Sequence, residues 1–343
     1  MIQCDRALGG ENPRPRAAVT RQLPRVMTWL TRWHDEEMEP SWSIDRVIAV
    51  DWSGRIDQAG QRRHIWAGVW SGGTAGSRVT LEAGRTREEW IEWLIKLARE
   101  TPRMVVGLDC CFSFPAWFVR EHGCATVFDL WRYVAAGNGE RWLSRNGDSR
   151  DARFWGAPHK RPAEFCGEQL PRSMRLTDMD NKITPKMLQG DPERAAKVRG
   201  ITPKSPFQIG GSGSVGTGSL RAMPGLLRLH EAGFRIWPFD SAAIDTAKPQ
   251  PLLIEMYTRL LTGAVSKSNE QARKNYLAAR KNDPLYEGLS RSVLSQAKTS
   301  EDAFDALVSV IEMVRWQEEF PALKATRDKT LRLEGITWRP GIR

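Results

Sequence analysis

Four aspartates stand where apolar segments end or begin. Asp51 closes Val47-Ile48-Ala49-Val50, Asp109 closes Met104-Val105-Val106-Gly107-Leu108, and Asp302 and Asp305 open an apolar stretch running to about Glu318. A carboxylate at the tip of a buried strand is fixed by rigid backbone at a sheet edge, where a metal or a phosphate can reach it. Each acid also has a plain structural reading. Asp at a strand exit caps the next turn through its own side chain, and Ser53-Gly54 force such a turn after Asp51. Acids at a helix start favour the macrodipole and complete a capping box. That accounts well for Asp302 and less well for Asp305, which lies deeper in a mostly apolar helix.

Glu255, inside Leu252-Leu253-Ile254-Glu255-Met256-Tyr257, either faces solvent or is buried with a partner; it is a further metal-ligand candidate. The five His (34, 64, 122, 159 and 230) show no metal-ligand spacing and read as ordinary residues. The Gly-rich segment 210–218 lacks the Gly-Lys-Ser/Thr end of a Walker A loop. It reads either as a backbone nest for phosphate leading into a helix or as a tight turn. No strand precedes it, so a nucleophile elbow is not supported.

The elements that must position these acids follow from periodicity. Residues 46–51 form a buried strand, 64–70 a second strand after a Gly/Gln/Asp linker, and 78–81 a short third, joined as an antiparallel meander. Thr86 and Glu89 make a capping box for a helix whose Trp90, Leu94, Leu97 and Ala98 share one face. Strand 104–109, reached through that helix, runs parallel to an earlier strand by the right-handed crossover rule. If it is adjacent to the first, Asp51 and Asp109 lie side by side. A helix spans about 117–134, another 222–232, then a strand 234–239 near an edge because of Pro238. Strand 252–257, basic amphipathic helices 268–281 and 285–297, and the buried helix capped by Thr299 or Ser300 complete the chain.

Residues 1–44, Arg-rich with scattered Gly and Pro, read as an appendage with one amphipathic piece at 26–33, and residues 321–343 as a tail to a domain over 45–320. The stretch 141–221 is a loop-rich insertion holding 15 Lys/Arg against 8 Asp/Glu, most of the excess behind a formal charge of +10. Such a balance favours polyanions, nucleic acid first, and Lys204, Arg221 and Lys298 are the candidate phosphate contacts. Phe154, Trp155, Phe165 and Phe207 read as base-stacking platforms or as the insertion's own core. No apolar run approaches the ~18 residues of a membrane span. Five Cys, two of them adjacent and none in C-x-x-C, make neither a disulfide framework nor a zinc site. A reducing, cytoplasmic setting and no membrane partner are therefore expected.

In chain order these acids have the placement of the carboxylates in the RNase H fold, especially its Holliday-junction-resolvase branch. More closely, the chain resembles the predicted RNase H-like nucleases grouped as domain of unknown function 429. The resemblance rests on Ala49-Val50-Asp51-Trp52-Ser53-Gly54, Gly107-Leu108-Asp109, Ile254-Glu255-Met256-Tyr257 and Ser300-Glu301-Asp302-Ala303-Phe304-Asp305-Ala306-Leu307. It implies an α/β fold, a mixed sheet of antiparallel meander plus parallel strands flanked by helices, from which the basic insertion departs. It also implies a metal-dependent nuclease acting on DNA or RNA, with Asp51, Asp109, Asp302 and Asp305 catalytic. Clustered carboxylates do not all stay ionised without cations between them. Two Mg²⁺ or Mn²⁺ ions about 4 Å apart serve phosphodiester hydrolysis. Asp51 would bridge them, with Asp109 and one of Asp302 or Asp305 as outer ligands.

Two other readings stay open. In an ATP-dependent phosphotransferase of the actin and sugar-kinase type, Asp51-Trp52-Ser53-Gly54 and the 210–218 loop would hold phosphates, yet no second strand-tip Asp-x-Gly appears. The third is a non-catalytic nucleic-acid-binding protein with an RNase H-like core.

Overall fold

Val47, Ile48, Ala49 and Val50 are fully buried, and their alternation decides which layer each one joins. Ile48 and Val50 pack with Trp90, Leu94, Val106 and Leu226 on one side of the sheet. Val47 and Ala49 pack with Val105, Ile254, Phe304 and Leu307 on the other. Burial on both faces is why the segment is a continuous apolar run up to Asp51.

The computed structural model describes residues 43–72, 78–144, 151–181, 201–211, 214–241 and 248–342. The expectations for residues 1–42, including the amphipathic piece 26–33, and for 145–150, 182–200 and 212–213 of the insertion lie outside the described residues. Among those described, one mixed sheet contains β1 (Arg46–Asp51), β2 (Trp66–Ser71), β3 (Arg78–Glu82), β4 (Met104–Leu108), β5 (Arg235–Trp237), β6 (Leu252–Met256) and β7 (Thr337–Trp338). The order is β3-β2-β1-β4-β6-β5, with β7 pairing with β6. β1, β2 and β3 form the expected antiparallel meander, Ile48 opposite Val69 and Val69 opposite Thr80. β4 is parallel to β1, Leu108 opposite Val50, and β6 is parallel to β4, Glu255 opposite Leu108. Helices Arg87–Glu100 and Gly216–Glu231 cover one face; helix Glu301–Arg315 covers the other.

The capping box is present: Thr86 Oγ1 accepts from Glu89 N while the Glu89 carboxylate accepts from Thr86 N. Several expectations are corrected. The linker after β1 contains a helix, Gln58–His64, started by Asp57, whose carboxylate accepts from Gly60 N. The helix expected over 117–134 is two, Ala116–Glu121 and Val127–Tyr133, separated at Gly123, whose φ of 70° only glycine adopts freely. Residues 321–343 are not a tail. They supply Leu331–Glu334 and β7, and bury Leu323 and Trp338.

Between residues 151 and 211 the described part of the insertion is short 3₁₀ turns and one helix, Leu176–Asp180, while its two ends run into helices Gly139–Leu143 and Gly216–Glu231. Phe154, Trp155, Phe165 and Phe207 are all buried, packed on one another and on Phe114, Trp117 and Phe118. They form a core, and base stacking on them is excluded because no ring face is open.

Candidate active site

Asp51 and Asp109 are neighbours because β1 and β4 are parallel and in register. Val50 faces Leu108, and Asp109 N donates to Val50 O at 3.0 Å. The charges of the two groups bear on each other, Asp109 being among those that push Asp51 up. Thr258, at the start of helix Thr258–Thr262 just past β6, donates through Oγ1 to Asp109 Oδ2 at 2.9 Å. From the opposite layer, helix Glu301–Arg315 carries Asp305 in, fully buried, and Lys267 Nζ donates to Asp305 Oδ2. Arg273 fixes the Lys267 segment by donating to its carbonyl. The turn leaving β1 is clamped by two guanidinium groups: Arg87 donates to Ser53 O and Arg55 O, Arg221 to Gly54 O.

Charge explains the titration of this group. Burial, then the nearby Asp305 charge, push Asp51 well above the usual carboxylate range; Lys267 pulls the other way. Burial also raises Asp109, opposed by Lys267 and Thr258. Asp305 is pushed up by burial to about 6 although Lys267 opposes this. Burial alone would lower Lys267, but Asp305, Asp51 and Asp109 together lift its ammonium above its ordinary range. Three carboxyl groups thus face one ammonium, and negative charge is in excess.

Asp302 stands at the rim, where its Oδ2 lies 2.8 Å from His64 Nδ1. His64 ends helix Gln58–His64, two residues before Trp66, which is paired with Asp51. His64, Lys267 and Thr258 were all missed in the sequence. Only His64 left a signal, since antiparallel pairing places the start of β2 opposite the tip of β1.

Glu255 is corrected as a metal ligand. Its carboxylate is buried and accepts from Arg175 Nη2 at 2.6 Å and Nη1 at 2.7 Å, from Thr337 Oγ1 at 2.6 Å and from Phe112 N at 2.7 Å. Both oxygens are fully engaged, so the residue ties β6, β7 and the insertion together. Arg221 is corrected as a nucleic-acid contact: besides Gly54 O it holds Glu140, with Nε at 2.7 Å from Oε1. Lys204 lies exposed on a cleft of about 240 Å³ that Asp109 also lines. Lys298 is half-buried near the end of helix Arg291–Thr299, and its carbonyl accepts from Arg273.

Among the described residues no group of three or more His, Cys, Asp or Glu stands ready-made as a metal site. Lys267, which donates to Asp305, offsets part of the charge of the acids. Two features nevertheless fit Mg²⁺ or Mn²⁺. The donors are all carboxylate oxygens, the hard ligands such ions take, and Asp305 Oδ1 is buried without a hydrogen-bond partner. Asp51, Asp109 and Asp305 are the residues that would hold the ion. No family model, curated protein or solved structure matches the chain. No described helix is long and apolar enough to cross a membrane.

Proposed function

We propose that the protein is a metal-dependent nuclease that hydrolyses phosphodiester bonds of DNA or RNA, of the RNase H-like kind its motifs resemble. One observation carries the reading: Asp51, Asp109 and Asp305, up to 254 positions apart in the chain, are buried together with an excess of negative charge. Buried like charges are unfavourable unless something uses or offsets them, and one Lys offsets only part. The meander followed by a parallel strand, with an acid at each of the two central strand tips, supports the same reading.

A bound Mg²⁺ or Mn²⁺ would supply Lewis-acid activation of water and stabilisation of the leaving oxygen. The chain's own residues do the rest. Thr258 orients the Asp109 carboxylate. Lys267 keeps the acids gathered when no cation is present. Asp302 engages Nδ1 of His64, which leaves Nε2 as the nitrogen able to hold or move a proton at the rim of the cluster.

The non-catalytic reading also has an observation in its favour, since Lys267 already neutralises part of the cluster and no ready-made metal site stands among the described residues. Cleavage of mixed DNA and RNA oligonucleotides in Mg²⁺ or Mn²⁺ by the wild type and Asp51→Asn decides between them. The nuclease reading expects the variant to lose ~10²-fold or more of the rate with its circular dichroism unchanged. Equal rates sink it, and salt-dependent binding without turnover in either metal supports the binding module.

A further inference from the structure

We propose that a second cavity, rimmed by Arg120, Lys329 and Arg332, grips the sugar-phosphate backbone of the nucleic-acid strand whose neighbouring part lies at the acids; this rests on the nuclease reading of those acids. The cavity is about 440 Å³, and no acid lines it among the described residues. All three cations are exposed, and among the described residues none of them holds a carboxylate. Surface arginines elsewhere do: Arg62 pairs with Glu89, Arg103 with Asp45 and Arg228 with Glu88. The acids nearest the three cations in sequence are engaged with other groups. Glu121 pairs with Arg153, Asp129 with Arg132, and Asp328 accepts from Thr330 N and Leu331 N. An uncompensated group of cations suits a polyanion, and guanidinium forks match phosphate in particular.

Two of the three cations stand on elements tied to each other. Arg120 is on helix Ala116–Glu121 and Arg332 on helix Leu331–Glu334. Ser113 Oγ donates to Leu333 O, and Ala116 N donates to Glu334 Oε1 at 2.8 Å. Both guanidinium groups therefore start from backbone already held in place, which lowers the ordering cost of gripping one ligand. Half-buried Phe128 and Phe239 also line the cavity and offer apolar surface to a sugar or base beside the phosphates. The cavity lies close to the cleft beside Asp109. A Cβ on Gly335 would lie 3.2 Å from Cζ of Phe239 and 3.9 Å from Oε2 of Glu255, and Glu255 lines that cleft. Phe239 follows β5, which is parallel to β6 as β6 is to β4. β4 and β5 are two strand spacings apart, about 10 Å. That is roughly three base steps at ~3.4 Å each, a span that a strand covers and a mononucleotide does not.

The test uses the full chain in Ca²⁺, with a labelled oligonucleotide and inorganic phosphate as probes. The double variant Arg120→Ala/Arg332→Ala is expected to bind the strand ~10-fold or more weaker than wild type, and its salt slope to fall by ~1–2. The control Lys281→Ala/Arg291→Ala removes the same charge beside helices Glu270–Ala279 and Arg291–Thr299, which pack in the opposite layer, and is expected to bind like wild type. Equal losses in the two double variants, or no loss in the first, overturn the proposal. So does inorganic phosphate that displaces the strand as well as the same phosphate carried on an unlabelled strand. In Mg²⁺ the first variant is expected to raise KM with kcat unchanged, because the lost contact holds substrate and transition state alike. Cleavage whose KM and binding ignore Arg120 and Arg332 defeats the cavity alone. Binding that depends on them without cleavage in Mg²⁺ or Mn²⁺ defeats the nuclease reading alone.

Discussion

Gly68 of β2 and Ala306 of helix Glu301–Arg315 meet backbone to backbone: a Cβ added to Gly68 would lie 2.4 Å from the Ala306 carbonyl oxygen and 2.6 Å from Val310 Cγ1. Only glycine lets the helix lie this low on the sheet, and Asp305 is the residue beside Ala306. Gly68→Ala must lift the helix or buckle β2. Overpacking of this kind costs ~1–3 kcal/mol, and thermal melting measures it. The same lift withdraws Asp305, so Mg²⁺-dependent cleavage is expected to fall further than the lost stability explains. A variant that melts and cleaves like wild type removes the claim that this contact sets the depth of Asp305.

Among the described residues Lys267 is the cation paired with buried Asp305. Lys267→Met leaves Asp305 uncompensated, and breaking a buried pair from one side costs ~3–5 kcal/mol. Urea unfolding at neutral pH measures the loss. The deficit is expected to shrink toward pH 5, where the acids take up protons, and on addition of Mn²⁺, which replaces the missing charge. A deficit indifferent to both means that Lys267 acts through packing alone.

Asp305 also sets a pH dependence whose sign follows from its shift. Its folded value of about 6 lies above the ordinary 3.8, so between these values the folded state holds a proton that the unfolded state releases. Stability from this group is therefore lost as pH rises through that window, by up to about 3 kcal/mol above it. Asp305→Asn cannot ionise. Its stability relative to wild type is expected to climb from pH 4 to pH 7 in chelator, and the climb to flatten in Mg²⁺. A difference that stays constant with pH sinks the assignment.

The legible parts of this fold are those with a local signature. β1, β4 and β6 are buried on both faces, so they appear as continuous apolar runs, and an acid at the end of such a run is conspicuous. That is why Asp51 and Asp109 stand out before any coordinates. Helix Gln58–His64 has a largely polar sequence and only Gly60 and Gln61 are buried, so it carries no apolar stripe to detect. β7 is two residues long, too short for any period. Lys267 and Thr258 acquire their roles from the path of the chain after β6, which tertiary contacts such as Arg273 on the Lys267 carbonyl decide. Glu255 looked like a site acid for a related reason: its partner Arg175 lies 80 positions away in an insertion with no regular pattern.

That pairing makes Glu255 a stability residue. Glu255→Gln leaves Arg175 buried with one counter-charge, Asp178, and is expected to cost ~3–5 kcal/mol in urea unfolding. Well below its melting point the variant keeps the wild-type dependence of cleavage on metal concentration. A weakened metal dependence with normal stability would return Glu255 to the metal site.

His64 separates a proton-moving role from a packing role. Asp302 holds Nδ1 at 2.8 Å, so the ring is oriented and Nε2 faces away from that bond. If Nε2 moves a proton during hydrolysis, His64→Ala lowers kcat by ~10²–10⁴ with KM little changed. Added imidazole then restores part of the rate, because a free base diffuses into the vacated space. Asp302→Asn keeps the ring but weakens its orientation, so it is expected to show a smaller loss and no response to imidazole. Were His64 merely a cap on Asp302, both variants would lose stability alike and imidazole would restore neither.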